Sequence, residues 1–400
     1  SSDEKAVRSR LVAAGLTGNA ADVGTNLFAG CALRAGYING QPTDFQRDCD
    51  ALMSLLRAGD AASDAQARAL IEEITPHNVD VAVDTSAEVM QQQLSGIAAR
   101  LARVRHHSRG LDVTGLQFFD GQQWINANAL MASNDPANVD APPVVSFADS
   151  RLGVFLDGAL ISGNQKQDGN NVEGKTDYKG QEFTLGIDYR ISDALVAGVA
   201  YSLSLTNTDF SGDRGKLDTT GYTLLAYASY YKDAWYLEGT AATGGNRYEQ
   251  DRRMRCDVAT CGIDFNVLAS SEYYGDQNAF SLGGGYALSF GALTLTPNAQ
   301  WSMMKVATDA YHESTDDVGS GTGFLLAMDD QSRSHNTVSV GVDASYAVST
   351  SLGVVLPHAS IDLRHELDDD LLVVNGQFLG DSANDQSFSL ATRASLRLKA

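Results

Sequence analysis

Four cysteines are the residues whose type and spacing suggest chemistry most directly. Cys31 and Cys49 lie in one local segment of the chain, and Cys256 and Cys261 lie in another. Local pairs of this kind favour disulfides in an oxidising compartment. A zinc site is disfavoured, because the chain has no CxxC motif and neither pair has a histidine at the usual spacing. We therefore predict two disulfides and no metal site.

A catalytic site has weaker support in the sequence than the disulfides have. Four polar residues could form a hydrolytic site at the rim of a fold: His312, Asp309, His365 and Ser332. No GxSxG, HExxH or phosphate-loop motif accompanies them, and such motifs are what usually identify these reactions. We predict that the chain is not an enzyme and needs no cofactor, with a rim hydrolase as the weakest alternative.

The charge balance excludes one class of partner. The 400 residues include 29 basic and 50 acidic side chains, which gives a net charge of -21 at pH 7. Such a chain repels nucleic-acid phosphates, so we exclude nucleic-acid binding. No run approaches the ~20 apolar residues of a membrane-spanning helix. A transmembrane barrel stays compatible with this composition, because only alternate residues of its strands face lipid.

The first quarter of the chain is predicted to be helical. Residues 1–105 are rich in alanine and poor in β-branched residues, and Leu and Ala recur at helical spacing. The last helix, about residues 86–105, ends in Arg100, Arg103 and Arg105, whose charges complement the helix dipole. At ~30 Å it is long enough to cross a membrane as a pore helix inside a barrel. Packing on the upstream helices is the alternative. Residues 106–149 lose this periodicity and are predicted to be a linker or plug.

Residues 150–400 have the alternation of β-strands. Apolar side chains alternate with small or polar ones along residues 183–190, 195–206, 293–302, 338–346 and 355–364. Tight turns near residues 192, 232, 290 and 350 alternate with long polar links at 164–177, 206–216, 247–278 and 308–335. Short turns at one rim and long loops at the other are typical of outer-membrane barrels. We predict a mainly β fold, a transmembrane antiparallel up-and-down β-barrel preceded by an α-helical segment.

Strand parity places a set of charged residues on the face opposite the apolar one. The predicted lumen-facing residues are Asp157, Asp188, Arg190, Glu238, Asp343, Asp362, Arg364 and Glu366. Charged residues can face a polar lumen but not lipid. These side chains could pair with one another, or with the arginines of the 86–105 helix and so plug the pore.

Several segments resemble the autotransporter β-domain of the type V secretion class. They are RLGVFLDGAL at 151–160, GIDYRISDALVAGVAYSLSLTNTDF at 186–210, LTLTPNAQW at 293–301 and LGVVLPHASIDLRHELDDD at 352–370. The last carries Pro357, His365 and Glu366, which match the family's proline and His-Glu pair, and IAARLARVR at 97–105 is similar to the family's segment ahead of the barrel.

The resemblance implies a Gram-negative outer-membrane translocator that carries an N-terminal passenger to the cell surface. Its partners would be outer-membrane lipid and lipopolysaccharide, the outer-membrane assembly machinery, periplasmic chaperones and its own passenger. The family barrel has twelve strands, of which about ten are visible here, and the ending SLRLKA departs from the family's aromatic-terminated last strand. A porin and an adhesin-like surface protein are the alternatives.

Overall fold

The computed structural model describes residues 2–33, 37–38, 41–76, 79–105, 111–114, 117–119, 124–126, 151–167, 174–346, 348–350, 353–355, 358–368, 372–380 and 387–392. Most of the predicted linker at 106–149 and the ending SLRLKA lie outside these ranges. No helix within them is long and apolar enough to cross a membrane.

Five helices precede the sheet, and a short one lies in a loop. They are α1 (Ser2–Ala13), α2 (Gly18–Leu33), α3 (Asp44–Ala58), α4 (Ala61–Ile74), α5 (Val81–Arg105) and α6 (Val258–Cys261). α3 begins after Thr43, whose hydroxyl accepts the amide of Gln46, and ends at Gly59 with φ 68°, a conformation that suits glycine. Asp60 then caps α4 by accepting two backbone amides. The connection between α3 and α4 is therefore short, and both helices are capped at it.

Most of the strands belong to one large sheet. Its members are β3 (Leu111–Thr114), β6 (Leu152–Gln167), β7 (Gly174–Ser192), β8 (Leu195–Phe210), β9 (Gly215–Lys232), β10 (Trp235–Cys256), β11 (Phe265–Tyr286), β12 (Leu288–Phe290), β13 (Leu293–Thr308), β16 (Gln331–Tyr346) and β19 (His358–Glu366). The order from one edge to the other is β19-β16-β13-β11-β10-β9-β8-β7-β6-β3. Every neighbouring pair is antiparallel except β3 and β6, which confirms the predicted up-and-down topology. In the part of the chain that the structure describes, β3 and β19 are the two edges.

The remaining strands are short and lie apart from this path. They are β1 (Tyr37–Ile38), β2 (Gln41–Pro42), β4 (Gln117–Phe119), β5 (Trp124–Asn126), β14 (Tyr311–His312), β15 (Leu326–Met328), β17 (Val348–Thr350), β18 (Gly353–Val355), β20 (Leu372–Phe378) and β21 (Phe388–Thr392). Strands β14, β15, β20 and β21 form a separate four-stranded sheet. Of these four, β14 and β15 lie within the long link predicted at 308–335.

One face of the main sheet is apolar and exposed over a continuous band. On β8, Val199, Tyr201, Leu203 and Leu205 are exposed while the residues between them are buried. Exposed aromatic residues cluster where the strands meet the short turns: Tyr189, Tyr230, Trp235, Tyr286 and Tyr346. An apolar outer band with an aromatic girdle is the surface that a membrane barrel presents to lipid.

Beyond this band, toward the long connections, the exposed face of the sheet becomes polar and the buried face becomes largely apolar. There the exposed side chains of β10 include Arg247 and Glu249, and the buried ones include Tyr248 and Met254. At ~3.4 Å per residue and a tilt of ~40°, the 22 residues of β10 rise roughly 57 Å, about twice the ~25 Å apolar band. The outer half of the β10–β11 hairpin therefore projects into water.

The structure differs from the prediction at two of the long polar links. Residues 206–216 and 247–278 are largely strand, because β8 continues to Phe210 and the β10–β11 hairpin turns only at Cys256 to Phe265. Beyond the membrane band an exposed strand face must be polar and the buried face apolar. The resulting sequence looks like a polar loop although the backbone remains paired.

A second hydrophobic core joins the helices to these projecting strands. Leu52, Ile71 and Leu27 of the helices share one cluster with Met254, Phe265 and the β14–β15–β20–β21 sheet. Both predicted disulfides are formed, Cys31 with Cys49 and Cys256 with Cys261. We call α1 to α4, α6 and the four-stranded sheet, with the projecting strand ends, the outer cap.

Candidate functional site: a helix enclosed by the sheet

Helix α5 lies against the inner face of the main sheet. Its apolar stripe, which includes Val83, Met90 and Leu94, packs with residues of β6, β8, β9, β10, β11 and β13 in one buried cluster. Polar contacts add β7 and β16. Eight adjacent strands laid flat would span about 34 Å at ~4.8 Å per step, whereas a helix is only ~10 Å wide. The sheet must therefore curve around the helix.

A buried ion pair fixes the last quarter of α5 to the sheet. The Nε and Nη2 atoms of Arg100 both lie 2.9 Å from Oδ2 of Asp188 on β7. The two side chains are 1% and 6% exposed, so neither charge has bulk water as an alternative partner. The guanidinium also lies 5.1 Å from the centre of the Phe155 ring, a favourable cation–π arrangement.

The C-terminal end of α5 is held near the short turns. Arg105 forms an ion pair with Glu238 at the start of β10, and its guanidinium lies 3.7 Å from the centre of the Tyr236 ring. Arg190 of β7 donates to the carbonyl of Val104 at 3.4 Å. The Arg190 contact satisfies one of the last carbonyls of the helix, which lack partners within the helix.

The N-terminal half of α5 is held by neutral and charged contacts nearer the long connections. Gln93 donates to the Ser202 hydroxyl at 3.1 Å, and the hydroxyls of Ser86 and Tyr248 lie 2.8 Å apart. Asp84 pairs with Arg333 of β16 at 2.9 Å. The helix is therefore fixed along its whole length and runs from the outer cap to the short turns.

Residues 158–400, more than half of the chain, match the family model described as the autotransporter beta-domain. The chain belongs to the autotransporter β-domain family. It is an outer-membrane translocator of a Gram-negative bacterium that delivers a passenger polypeptide. No curated protein matches the chain.

Two solved structures of translocators are similar to this chain. The translocator domain of the autotransporter NalP from Neisseria meningitidis is 14% identical, with a TM-score of 0.44, over 57% of this chain and 77% of that one. The β domain of the Bordetella autotransporter BrkA is 16% identical, with a TM-score of 0.38, over 61% of this chain and 96% of that one.

The structure places the sequence-predicted charged residues of the translocator in two groups. Asp188, Arg190 and Glu238 contact α5, as described above, and Asp157 lines a small cavity beside the helix. Arg103 lies in the last turn of α5 with Arg105. The other group comprises Asp343, Asp362, Arg364 and Glu366, which lie on β16 and β19 near the sheet edge and are exposed.

The second group makes contacts within the sheet. Asp343 accepts a hydrogen bond from Asn298 at 2.8 Å, and Glu366 lies 2.7 Å from Nδ1 of His335. The four candidate rim residues are exposed and spread over separate segments: Asp309 after β13, His312 on β14, Ser332 on β16 and His365 on β19.

Sequence reasoning missed several residues that hold the helix. Ser86 and Gln93 were not singled out, nor was Glu182, which is buried on β7. Glu182 shares its parity with Asp188, so extending the alternation of 183–190 by one residue finds it. The helical contacts have no comparable signal, because they depend on how the helix is rotated inside the sheet.

The outer cap is anchored by two buried charged groups. The Asp48 carboxylate on α3 accepts the amides of Gly321 and Gly323, both at 2.9 Å. Burial raises the pKa of this carboxyl, and the two amide bonds partly offset the effect. Arg252 on β10 forms two 2.6 Å hydrogen bonds to Glu313 and also donates to the carbonyl of Ile74, at the end of α4.

Proposed function

We propose that this translocator displays its own N-terminal helices at the cell surface, with α5 left in the lumen as the plug. The path of the chain carries the proposal. Helices α1 to α4 pack at the end of the sheet that has the long connections, and α5 then passes through to the end that has the short turns. Strand β6 starts at that end, where Leu152 pairs with Tyr189.

Orientation follows from the family's architecture. Short turns of outer-membrane barrels face the periplasm and long connections face the medium. With that orientation, everything before α5 lies outside the cell, although the chain enters the membrane from the periplasm. The N-terminal region must then have crossed the membrane, and the retained α5 closes the route behind it. An open porin is disfavoured, because α5 occupies the inside of the sheet.

The exposed surfaces of the translocator indicate the partners that it would contact. The apolar band would be exposed to water before it reaches lipid, so periplasmic chaperones and the outer-membrane assembly machinery are the expected partners during biogenesis. The polar outer walls of β10 and β11, with Arg247, Glu249 and Glu272, stand at the height where lipopolysaccharide surrounds a barrel. We expect these residues to contact its headgroups.

Cysteine accessibility in intact cells tests this orientation. Ala58→Cys introduces a thiol at the exposed end of α3, and Lys232→Cys introduces one at a short turn. The native cysteines are in disulfides and do not react with maleimides. We expect a membrane-impermeant maleimide to label Ala58→Cys and not Lys232→Cys, and to label both after the cells are broken. Labelling of Lys232→Cys alone in intact cells would refute the proposed display.

A further inference from the structure

A buried carboxyl group on β7 faces helix α5 across a small cavity. Glu182 is 5% exposed, and it lines this cavity together with Gln93 of α5 and Asp157 of β6. The cavity has a volume of about 20 Å3, which is room for one water molecule. Glu182 and Gln93 can therefore bond to each other only directly or through a single water.

The two oxygen atoms of the Glu182 carboxyl group have different surroundings. The hydroxyl oxygens of Thr184 and Ser202 lie 3.0 and 3.2 Å from Oε1, which accepts their hydrogen bonds. Oε2 is buried and has no hydrogen-bond partner in the part of the chain that the structure describes. An ionised carboxylate accepts hydrogen bonds at both oxygens, whereas a protonated carboxyl group donates from one of them. The contacts of Glu182 are those of the protonated form, with the proton on Oε2.

Gln93 offers an acceptor for that proton. Its Nε2 donates to the Ser202 hydroxyl at 3.1 Å, which turns its Oε1 away from Ser202. This Oε1 is also buried, and no donor reaches it among the described residues. A buried acceptor without a donor is unfavourable. A proton on Oε2 of Glu182 would satisfy both oxygen atoms, either in a direct hydrogen bond or through the one water that the cavity can hold.

The charges around Glu182 favour the protonated form. No basic side chain in the described ranges pairs with Glu182, whereas the Asp157 carboxylate on β6 acts on it repulsively. Burying an ionised carboxyl group without a cation is so costly that such a group usually becomes neutral instead. The inward residues of β8 nearby, Ser202 and Ser204, are uncharged. α5 and β7 carry further titratable groups on this side, which are bonded to other partners: Arg100 to Asp188, and Glu88 to Tyr178.

We propose that Glu182 is a protonated carboxyl group that latches α5 to β7 through Gln93, and that the latch loosens when Glu182 ionises. The docked helix then holds one proton more tightly than the undocked helix does, so the docked state is favoured at low pH. This stabilisation is present below the pH at which Glu182 ionises in the undocked chain, and it is lost as the pH rises through the higher value at which Glu182 ionises in the docked chain. The inference goes beyond the proposed display, because it requires only that α5 lies inside the sheet.

Trypsin cleavage at the arginines of α5 tests the latch over roughly pH 6 to pH 9, the range in which buried glutamates ionise. The chain is refolded with its disulfides in detergent, and its cleavage rate at each pH is divided by that of Glu182→Gln. This variant keeps the side-chain shape and a donor but cannot ionise, and the pH dependence of trypsin itself cancels in the ratio. We expect the ratio to rise with pH by at most about tenfold per unit, the limit for one proton. A ratio that is independent of pH would overturn the proposal.

Asp157→Asn separates the two acidic residues of the cavity. Its cleavage rate is divided by that of the variant that carries both Asp157→Asn and Glu182→Gln. We expect the pH dependence to remain and its midpoint to move to lower pH, because Glu182 ionises more easily without a negative neighbour. Loss of the pH dependence in Asp157→Asn would assign the proton to Asp157 and sink the latch.

Infrared spectroscopy detects the proton directly and does not depend on how α5 moves. The difference spectrum between the native chain and Glu182→Gln should contain the C=O stretch of a protonated carboxyl group at the acidic end of the pH range. This band should give way to carboxylate bands at the alkaline end. Carboxylate bands at both ends would show that Glu182 is ionised throughout and would contradict the proposal.

Discussion

Substitution of Asp188 by alanine is expected to release α5 from the inside of the sheet. The change leaves the Arg100 guanidinium buried, with 1% of its side chain exposed, and without its carboxylate. Breaking a buried ion pair in this way costs about 3–5 kcal/mol, because the remaining charge loses this carboxylate in a site of low dielectric constant. The population of undocked helix should then rise by roughly two to four orders of magnitude.

Trypsin cleavage at the arginines of α5 measures this population. Cleavage of an opened segment follows its equilibrium population when closing is fast, so Asp188→Ala should be cut far faster than the native chain. Asp193→Ala is the matched control, because Asp193 lies exposed in the turn between β7 and β8. Equal cleavage rates for the two variants would show that the ion pair does not hold the helix.

Replacing both partners of the ion pair distinguishes the effect of an uncompensated charge from the effect of lost packing. Arg100→Met combined with Asp188→Leu removes both charges and keeps apolar volume in the site. Because a buried ion pair contributes little beyond an apolar pair of similar size, this double variant should resist trypsin nearly as well as the native chain. Cleavage as fast as in Asp188→Ala would mean that the charges themselves stabilise the docked helix.

Substitution of Arg252 by alanine is expected to have the largest effect on the outer cap. Arg252 bridges Glu313, the carbonyl of Ile74 and the carbonyl of Phe324, so one side chain connects β10 to the end of α4 and to the loop before β15. Its removal leaves Glu313 buried without its cation. We expect the free energy of cap unfolding to fall by about 3–5 kcal/mol.

Near-ultraviolet circular dichroism reports on the cap core, where Tyr273 stacks between Tyr248 and Tyr311. The signal of Arg252→Ala should be lost at a lower temperature than that of the native chain. Arg255→Ala provides a control on the same strand, since the Arg255–Asp213 pair is exposed and such pairs contribute at most about 1 kcal/mol. Similar midpoints for the two variants would contradict this role of Arg252.

The membrane-spanning part of the fold could be predicted because its sequence follows a simple pattern. A strand with lipid on one face and a polar lumen on the other must alternate, and Val199 to Leu205 show this directly. Outside the membrane the same strands follow a different rule, with apolar residues such as Met254 and Phe265 inside. That change of solvent, and not a loss of pairing, is why the outer strand ends resembled loops.

The start of α5 shows a second limit of prediction from the sequence. The sequence predicted a helix from about residue 86, whereas it begins at Val81. The added residues VAVDT are β-branched in part, and such residues have low intrinsic helix propensity. Val81 and Val83 are almost fully buried, so packing overrides propensity here. Similarly, Arg105 and Glu238 are 133 residues apart, and only the register of the sheet brings them together.

Cross-linking in outer membranes tests the central claim, that α5 lies inside the sheet. Gln93→Cys is combined with Ser202→Cys, which faces the helix, or with Leu203→Cys, the next residue of β8, which is exposed on the opposite face. With a short bismaleimide reagent, we expect the first pair to become linked and the second to remain unlinked. Linking of both pairs to the same extent, or of the Leu203→Cys pair alone, would contradict the placement of α5 in the lumen.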